Sequence, residues 1–440
     1  MINKYFSKIL ILIITFLLLY TFYKSEIIYE GTRRYYYFYY YSLLSFLLVL
    51  SFLSIKFNET IKTYLTIIGF SLIFTFYISE LYLIFVDNPQ VRLINNRAKV
   101  YKELSNKEYD RRSKYKIFKE KIVEDKDIKI LTSPRTYQLE NENYLLPLAG
   151  VSNSNTIFCN ENGYYSSYLS DRYGFNNPDY VWDKKNKTYV LVGDSYLHGA
   201  CVNRPNDIAS VMRKNSSENI INLGFSSAGP LTELALLKEY SPSHASKVIW
   251  FYYEGNDLID LNTELRNHLV IQKYFDAQFT QDLKNRQKII DQYKNQDLKN
   301  LDKEYKSDLI FKIKNFFKLS TLRSKILKFK HKDTNKKEKL KNFSKFKEIL
   351  FLAHEYSRKE NSDFYFVYLP EYKRYISEYD DDLYIQIKNT TSELGIEMID
   401  IHKEIFENRD ALKYFPFRLS GHYNADAYKD IANLIIKKIN

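Results

Sequence analysis

Four positions in this 440-residue chain have the side-chain types and the spacing that acyl transfer at a serine requires. The run Tyr189-Val-Leu-Val192 is apolar, breaks at Gly193, and delivers Asp194 and Ser195 into helix-favouring residues. That pattern reads as a buried strand, a tight turn and a helix start. A serine placed there faces the edge of a parallel sheet where ligands collect, beside helix N–H groups that favour negative charge. Alone, Gly-Asp-Ser is equally an ordinary turn with Ser195 as a helix cap. The remaining positions give it chemical meaning. His422, just ahead of the last helical stretch, can take the serine proton. The amide of Asn256 and a backbone N–H in the turn from Ser226 to Gly229, with Gly229 preferred, can hold an oxyanion together with the Ser195 N–H. Asp194 and Asp257 are expected to hold their turns through backbone hydrogen bonds, and His198 to pack against the first helix. His244, His268, His331, His354 and His402 have no convergent partners in the pattern.

These residues must be positioned by a regular scaffold, and the chain alternates accordingly. Strands are expected at Tyr189 to Val192, Asn219 to Leu223, Lys247 to Tyr253, Asp363 to Leu369 and Glu397 to Ile401. Helices are expected at Asp207 to Lys214, Leu231 to Tyr240 and Asn424 to Ile439. Strands alternating with helices imply an α/β fold with a parallel sheet. Ser195, the Gly-containing turn and Asn256 then follow three successive strand ends.

Taken together the blocks resemble the SGNH (GDSL-type) hydrolases. Gly193-Asp-Ser195 with Gly199 is similar to the first family block, Asn222-Leu-Gly-Phe-Ser-Ser-Ala-Gly229 to the second, Gly255-Asn-Asp257 to the third and Gly421-His-Tyr-Asn424 to the last. The resemblance covers roughly residues 185–257 and 363–440, in family order. It implies a three-layer, flavodoxin-like domain acting as an esterase or O-acyltransferase, with Ser195 as nucleophile, His422 as base, Gly229 and Asn256 in the oxyanion hole, and no metal or cofactor. Membrane-anchored relatives act on acylated cell-surface polysaccharides or lipids, so an acylated glycan or lipid is the implied substrate. Two positions depart from the pattern. Leu419 stands where an aspartate commonly orients the histidine, leaving a Ser-His dyad or an acid from elsewhere, with Asp400 as the candidate. Ser227 stands five residues after Asn222, where the family has glycine. The missing acid also supports a different class of reading, a non-catalytic SGNH-like binding or assembly protein of cell-envelope polysaccharide biosynthesis.

The first ninety residues are of another kind. Ile9 to Tyr23, Tyr35 to Ile55 and Thr63 to Val86 are long apolar runs, the last carrying only Glu80, and they read as three transmembrane helices in residues 1–90. Lys4, Lys8, Lys56 and Lys62 mark one face as cytoplasmic. Lys24, Arg33, Arg34, Arg92, Arg97 and Lys99 argue for the other and are slightly richer, so the charge rule leans to a cytoplasmic large domain, while its side stays open because long domains can cross regardless of charge. Residues 91–150 are expected as a juxtamembrane helix and linker without chemistry, and residues 151–440 as the catalytic-type domain. The turn Asp171-Arg-Tyr-Gly-Phe-Asn-Asn-Pro178 would either wall a pocket or close the domain edge. A charged helical insertion lies at about 258–350, far longer than a crossover needs. Its basic residues from Lys312 to Lys339 alternate with Phe316, Phe317, Leu322, Ile326 and Phe329. It is expected as a solvated arm packed on the core, with contact to an anionic membrane or substrate as the alternative.

The net charge of +12 is mostly lysine and comes with no nucleic-acid motif, so no nucleic-acid partner is expected. Neither Gly-x-Gly-x-x-Gly nor a phosphate loop is present, which argues against a nucleotide site. Cys159 and Cys201 allow one internal disulfide and have no metal-ligand spacing.

Overall fold

The computed structural model describes residues 2–139, 144–267, 269–306, 308–330, 341–407 and 409–440. His268, His331 and the basic stretch Lys332 to Lys339 lie outside the described residues. The chain divides into two compact units, residues 1–88 with 310–326, and residues 89–309 with 327–440.

The first unit is built on α1 (Ile2–Phe22), α2 (Arg34–Leu53) and α3 (Glu59–Phe85). All three are long and apolar enough to span a membrane. Residues 310–326 of the insertion join this unit, where the sequence pattern pointed to an arm packed on the large domain. Tyr77 of α3 packs on Phe316 at 5.2 Å between ring centres. Glu80 is buried, and its carboxylate accepts the Thr321 and Leu322 N–H groups at 2.9 and 2.7 Å, capping the helix Ser320–Lys330. Lys325 pairs with Asp87. A lone acid on an apolar helix needs donors, and the insertion's first free N–H groups supply them.

The second unit is an α/β domain. Its sheet contains β1 (Thr188–Val192), β2 (Asn219–Asn222), β3 (Ala245–Tyr253), β4 (Asp363–Leu369) and β5 (Glu397–Asp400), all parallel, in the order 5-4-3-1-2. This is the flavodoxin-like order, in which ligands collect where the winding reverses between β1 and β3. The strands read as unbroken apolar runs because both faces are covered. Val190, Val192, Trp250, Tyr252, Phe366 and Tyr368 point into one core with the helices Pro230–Tyr240 and Phe343–Lys359. Tyr189, Leu191, Ile249, Phe251, Val367 and Leu369 point into the other with Ile208–Asn215 and Ala425–Ile439. Three layers result.

Ahead of β1, a small sheet of the short strands Lys129–Ile130, Asn155–Ile157 and Ser167–Leu169 holds a hairpin. The helix Pro89–Ser105, at the place of the expected juxtamembrane helix, belongs to this second unit. The turn at 171–178 closes the domain edge and braces it. Buried Asp171 accepts Asn177 Nδ2 and Trp182 Nε1 at 2.8 Å each. Asn176 Nδ2 donates to the His198 carbonyl at 2.9 Å.

Candidate active site

β1 runs out at Val192 and Gly193 turns the chain. A Cβ at Gly193 would stand 2.9 Å from Phe251 Cβ and 3.1 Å from Leu197 Cβ, so only glycine lets the turn sit this close to β3. The Asp194 carboxylate then caps the next turn by accepting the Tyr196 N–H at 2.8 Å, which places Ser195 first in the short helix Ser195–His198. The Ser195 N–H therefore has no acceptor within that helix. Ser195 is nearly buried, at 9% exposure.

His422 enters from the far end of the chain, just before the helix Ala425–Ile439. Its Nε2 lies 2.9 Å from Ser195 Oγ. The Tyr196 ring stands 4.8 Å from the imidazole and is itself stacked on Tyr253 at 3.8 Å. The Tyr196 hydroxyl donates to the Gly421 carbonyl at 3.2 Å. This aromatic stack fixes the face on which the imidazole can sit.

On the other side of His422 is Glu161, a residue the sequence pattern did not single out. Its Oε2 is 3.3 Å from His422 Nδ1 and accepts the His422 backbone N–H at 2.6 Å. Glu161 rides the tip of the hairpin between Asn155–Ile157 and Ser167–Leu169, where Gly163 closes the turn at φ +94° with its N–H on Asn160 Oδ1. Arg97, buried in the helix Pro89–Ser105, reaches Glu161 Oε1 at 3.4 Å and donates to the Ser420 carbonyl at 2.5 Å. The expected juxtamembrane helix thus carries a group that stands in the site. Burial by itself would push Glu161 up. The facing His422, then Arg97, reverse this and hold it at about 2, so it is ionised. Burial likewise pushes His422 down, and Glu161 followed by Asp194 outweighs it, leaving the ring above its ordinary value.

Asp400, the candidate acid, is not at the histidine. It accepts the Tyr384 hydroxyl at 2.5 Å and the Lys403 N–H at 3.1 Å. Leu419 has no acidic neighbour in its own turn because the carboxylate arrives from another element. Nothing local to His422 in sequence could reveal it; the turn signature Asn160-Glu-Asn-Gly163 and the nearby Cys159 were the available signals.

The oxyanion donors are distributed differently from the expectation. The Gly229 N–H donates to Glu264 Oε1 at 2.9 Å and is already satisfied. Glu264 also accepts the Leu231 and Thr232 N–H groups at 3.1 Å each, capping the helix Pro230–Tyr240. Ser227 instead occupies the left-handed region at φ +67°, and its N–H carries no hydrogen bond within the described residues. A serine in a conformation that favours glycine thus fills the glycine position of the motif. Asn256 follows β3 and lies against Asp194, with Nδ2 donating to Asp260 Oδ2 at 2.6 Å. With bonds to both Asp260 and Asp194, its amide hydrogens are already engaged. Asp194 is pushed up to about 6 by burial, against the Tyr196 N–H and His422.

Asp257 holds its turn as expected, its Oδ2 accepting the Tyr253 N–H at 2.7 Å. His198 is fully buried between Phe158 and Phe225, with Nδ1 accepting the Ser226 N–H at 3.0 Å. Burial lowers it to about 3, so it is a neutral packing group. Potential ligand atoms of Glu161, Cys201 and His422 lie within 4.8 Å of one another. They do not suit a metal, because the Cys201 sulfur is bonded to Cys159 and offers no thiolate.

Neither a family model nor a curated protein matches the sequence. Among solved structures, one from Desulfitobacterium hafniense DCB-2 described as a lipolytic protein of the G-D-S-L family aligns over 57% of this chain and 99% of its own, with 12% identity and a TM-score of 0.31.

Proposed function

We propose that this chain is a membrane-anchored serine hydrolase or O-acyltransferase of the SGNH type, acting on an ester through an acyl-enzyme at Ser195. The observation that carries the reading is His422 between two partners, with Ser195 Oγ 2.9 Å from Nε2 and the Glu161 carboxylate in ion-pair contact with Nδ1 at 3.3 Å. Ser195 Oγ attacks the ester carbonyl as its proton passes to His422 Nε2. The carbonyl oxygen becomes an oxyanion held by the Ser195 and Ser227 N–H groups and by the Asn256 amide, which exchanges its bond to Asp194 for the oxyanion. The C–O bond to the leaving alcohol then breaks, and His422 returns the proton to that oxygen. Water or a sugar hydroxyl resolves the acyl-enzyme by the same steps in reverse. Glu161 stays ionised throughout and stabilises the imidazolium.

A non-catalytic binding role drew its support from the empty acid position at Leu419. Glu161 beside His422 removes that support. The substrate class, an acylated cell-surface glycan or lipid, rests on the family resemblance and on the three apolar helices that would keep the site at a membrane. A disulfide between Cys159 and Cys201 favours an oxidising compartment, hence the non-cytoplasmic face, for the catalytic unit.

Labelling of detergent-solubilised protein with a fluorescent fluorophosphonate tests the reading. Wild type should label, Ser195→Ala should not, and His422→Ala should label far more slowly. Folded wild type that resists the probe both in detergent and in native membranes would sink it.

A further inference from the structure

The hairpin that carries Glu161 is tied covalently to the nucleophile's side of the site at one place. Cys159, two residues before the acid, is disulfide-bonded to Cys201, with Cα atoms 4.9 Å apart. Cys201 lies just beyond the helix Ser195–His198 and the left-handed turn at Gly199, and is itself left-handed at φ +60°. The path from Ser195 to Cys201 is stiff. The Ala200 N–H returns to the Ser195 carbonyl at 3.0 Å, and Asn176 holds the His198 carbonyl at 2.9 Å. Across the bridge, Asn162 Nδ2 donates to the Cys201 carbonyl at 2.9 Å. Further out, the Ser167 N–H donates to Asn203 Oδ1 at 3.0 Å, and Arg204 donates to the Leu169 carbonyl at 2.7 Å.

These outer bonds anchor the strands of the hairpin whether or not the bridge is closed. The tip is another matter. Asn160 and Gly163 bond to Tyr109 and Asp110 of the preceding segment, and Glu161 meets Arg97 and the His422 N–H, so the tip's direct ties to the nucleophile's segment are the bridge and the Asn162 bond, both at Cys201. The disulfide is the covalent link that sets where the tip stands relative to Ser195, while His422 comes between them from another element. Resting on the Proposed function above, we propose that the Cys159–Cys201 disulfide is the positioning element for Glu161, so that the acid of the Ser195–His422 pair is in place only in the oxidised protein.

Opening the bridge requires a dithiol reductant. Its thiolate attacks one sulfur, the S–S bond breaks, and the second thiol closes on the mixed disulfide. Cys159 and Cys201 end as thiols and the reductant as its own disulfide, a transfer of two electrons and two protons. The strands stay held, and the tip keeps only its noncovalent bonds to Tyr109, Asp110, Arg97, His422 and the Cys201 carbonyl. A displacement of about 1 Å at a catalytic group can cost up to about 100-fold in rate.

The test follows His422 itself. Full-length protein in detergent, labelled with 15N-histidine, is titrated by NMR with the bridge closed, after dithiothreitol treatment, and as Cys159→Ser/Cys201→Ser, with His422→Gln to assign the signal. The fluorophosphonate labelling rate is measured against pH on the same samples. The closed form should titrate above the ordinary histidine value. Reduction and the double variant should bring it down, as Glu161→Gln does, and reduction should add nothing in Glu161→Gln. Labelling should slow about 10- to 100-fold, its acidic limb should move to lower pH, and both should return on reoxidation. Buried His198 should stay outside the neutral range in every sample. An unchanged His422 titration on reduction overturns the proposal. So does the appearance of His198 in the neutral range, which would make the bridge a support of the whole fold. A His422 that responds to the bridge in protein that never labels upholds the positioning and sinks the hydrolase reading instead.

Discussion

At the scale of single residues, the acid is held by its surroundings on all sides, and two substitutions separate its charge from its placement. Glu161→Gln keeps the shape and removes the charge. In a dissected triad the equivalent change costs about 10⁴-fold, so labelling and turnover should fall by about 10²- to 10⁴-fold. Their dependence on pH should also change. His422 must be neutral to accept the serine proton, and Glu161 holds it charged to higher pH. The rising limb should therefore move to lower pH in Glu161→Gln even as the plateau drops. Gly421→Ala displaces the same acid without touching its chemistry. A Cβ at Gly421 would meet Arg97 Nη2 at 2.5 Å and Glu161 Oε2 at 2.6 Å, so the carboxylate or the guanidinium must move. Activity should fall by about 100-fold with the apparent melting temperature of the catalytic unit nearly unchanged. A fully active Gly421→Ala would show that the observed Glu161 placement is not what catalysis uses.

At the scale of elements, the helices Pro230–Tyr240 and Asp257–Asn267 meet beneath the site over a group of carboxylates. Glu233 is completely buried with both oxygens unpartnered. Burial first, then Asp257 and Asp194, push it well above its ordinary value. Burial also lifts Asp260 and Glu264 to about 7. Carboxyls raised by folding bind more protons in the native state than in the unfolded one. Their contribution is fully present below about pH 4 and is lost as pH rises through the raised values. His422, raised as well, has the same sign and loses its share above its ordinary value. His198, lowered to about 3, has the opposite sign, its share being lost as pH falls below about 6.5. The carboxyls outnumber it, so thermal stability should decline from pH 6 to pH 8. Glu233→Gln should raise stability at pH 8 by about 1–2 kcal/mol and change little at pH 5, as read by melting of the purified protein. Equal effects at both pH values would mean that Glu233 does not titrate in this range.

At the scale of the whole molecule, three spans would put the N-terminus and the large domain on opposite faces. With Lys4, Lys8, Lys56 and Lys62 cytoplasmic, the large domain would lie outside, against the slightly richer basic set that argues for the other side. The outside placement agrees with the oxidising compartment that the Cys159–Cys201 bridge needs. A C-terminal alkaline phosphatase fusion, active only where its own disulfides form, should be active. An active cytoplasmic reporter at that terminus, with a silent phosphatase fusion, would place the site inside and leave the bridge without a compartment. The insertion adds to the membrane-type unit rather than to the large domain. Glu80 caps the helix Ser320–Lys330, and Phe316 and Phe317 lie on Tyr77. The Glu80 carboxylate is thus met by backbone donors of a segment some 240 residues later.

What the sequence determined by itself is what depends on near neighbours. The apolar runs gave the five strands and the three long helices. Gly193-Asp-Ser195 gave a turn because a glycine and a capping aspartate interrupt the apolar run, and the order of strands and helices gave a parallel α/β sheet with Ser195 and Asn256 at its carboxyl edge. His422 could be named because its block sits against the last helix. Only the tertiary structure decided the partners that come from distant segments. Glu161 reaches His422 across 261 residues, and Arg97 stands behind it from the juxtamembrane helix. The Gly229 N–H is taken by Glu264, which leaves Ser227 as the open amide. A charge pair or a hydrogen bond needs proximity in space and puts no constraint on separation along the chain. An acid that serves a histidine from another layer therefore leaves no periodicity or spacing by which it could be read.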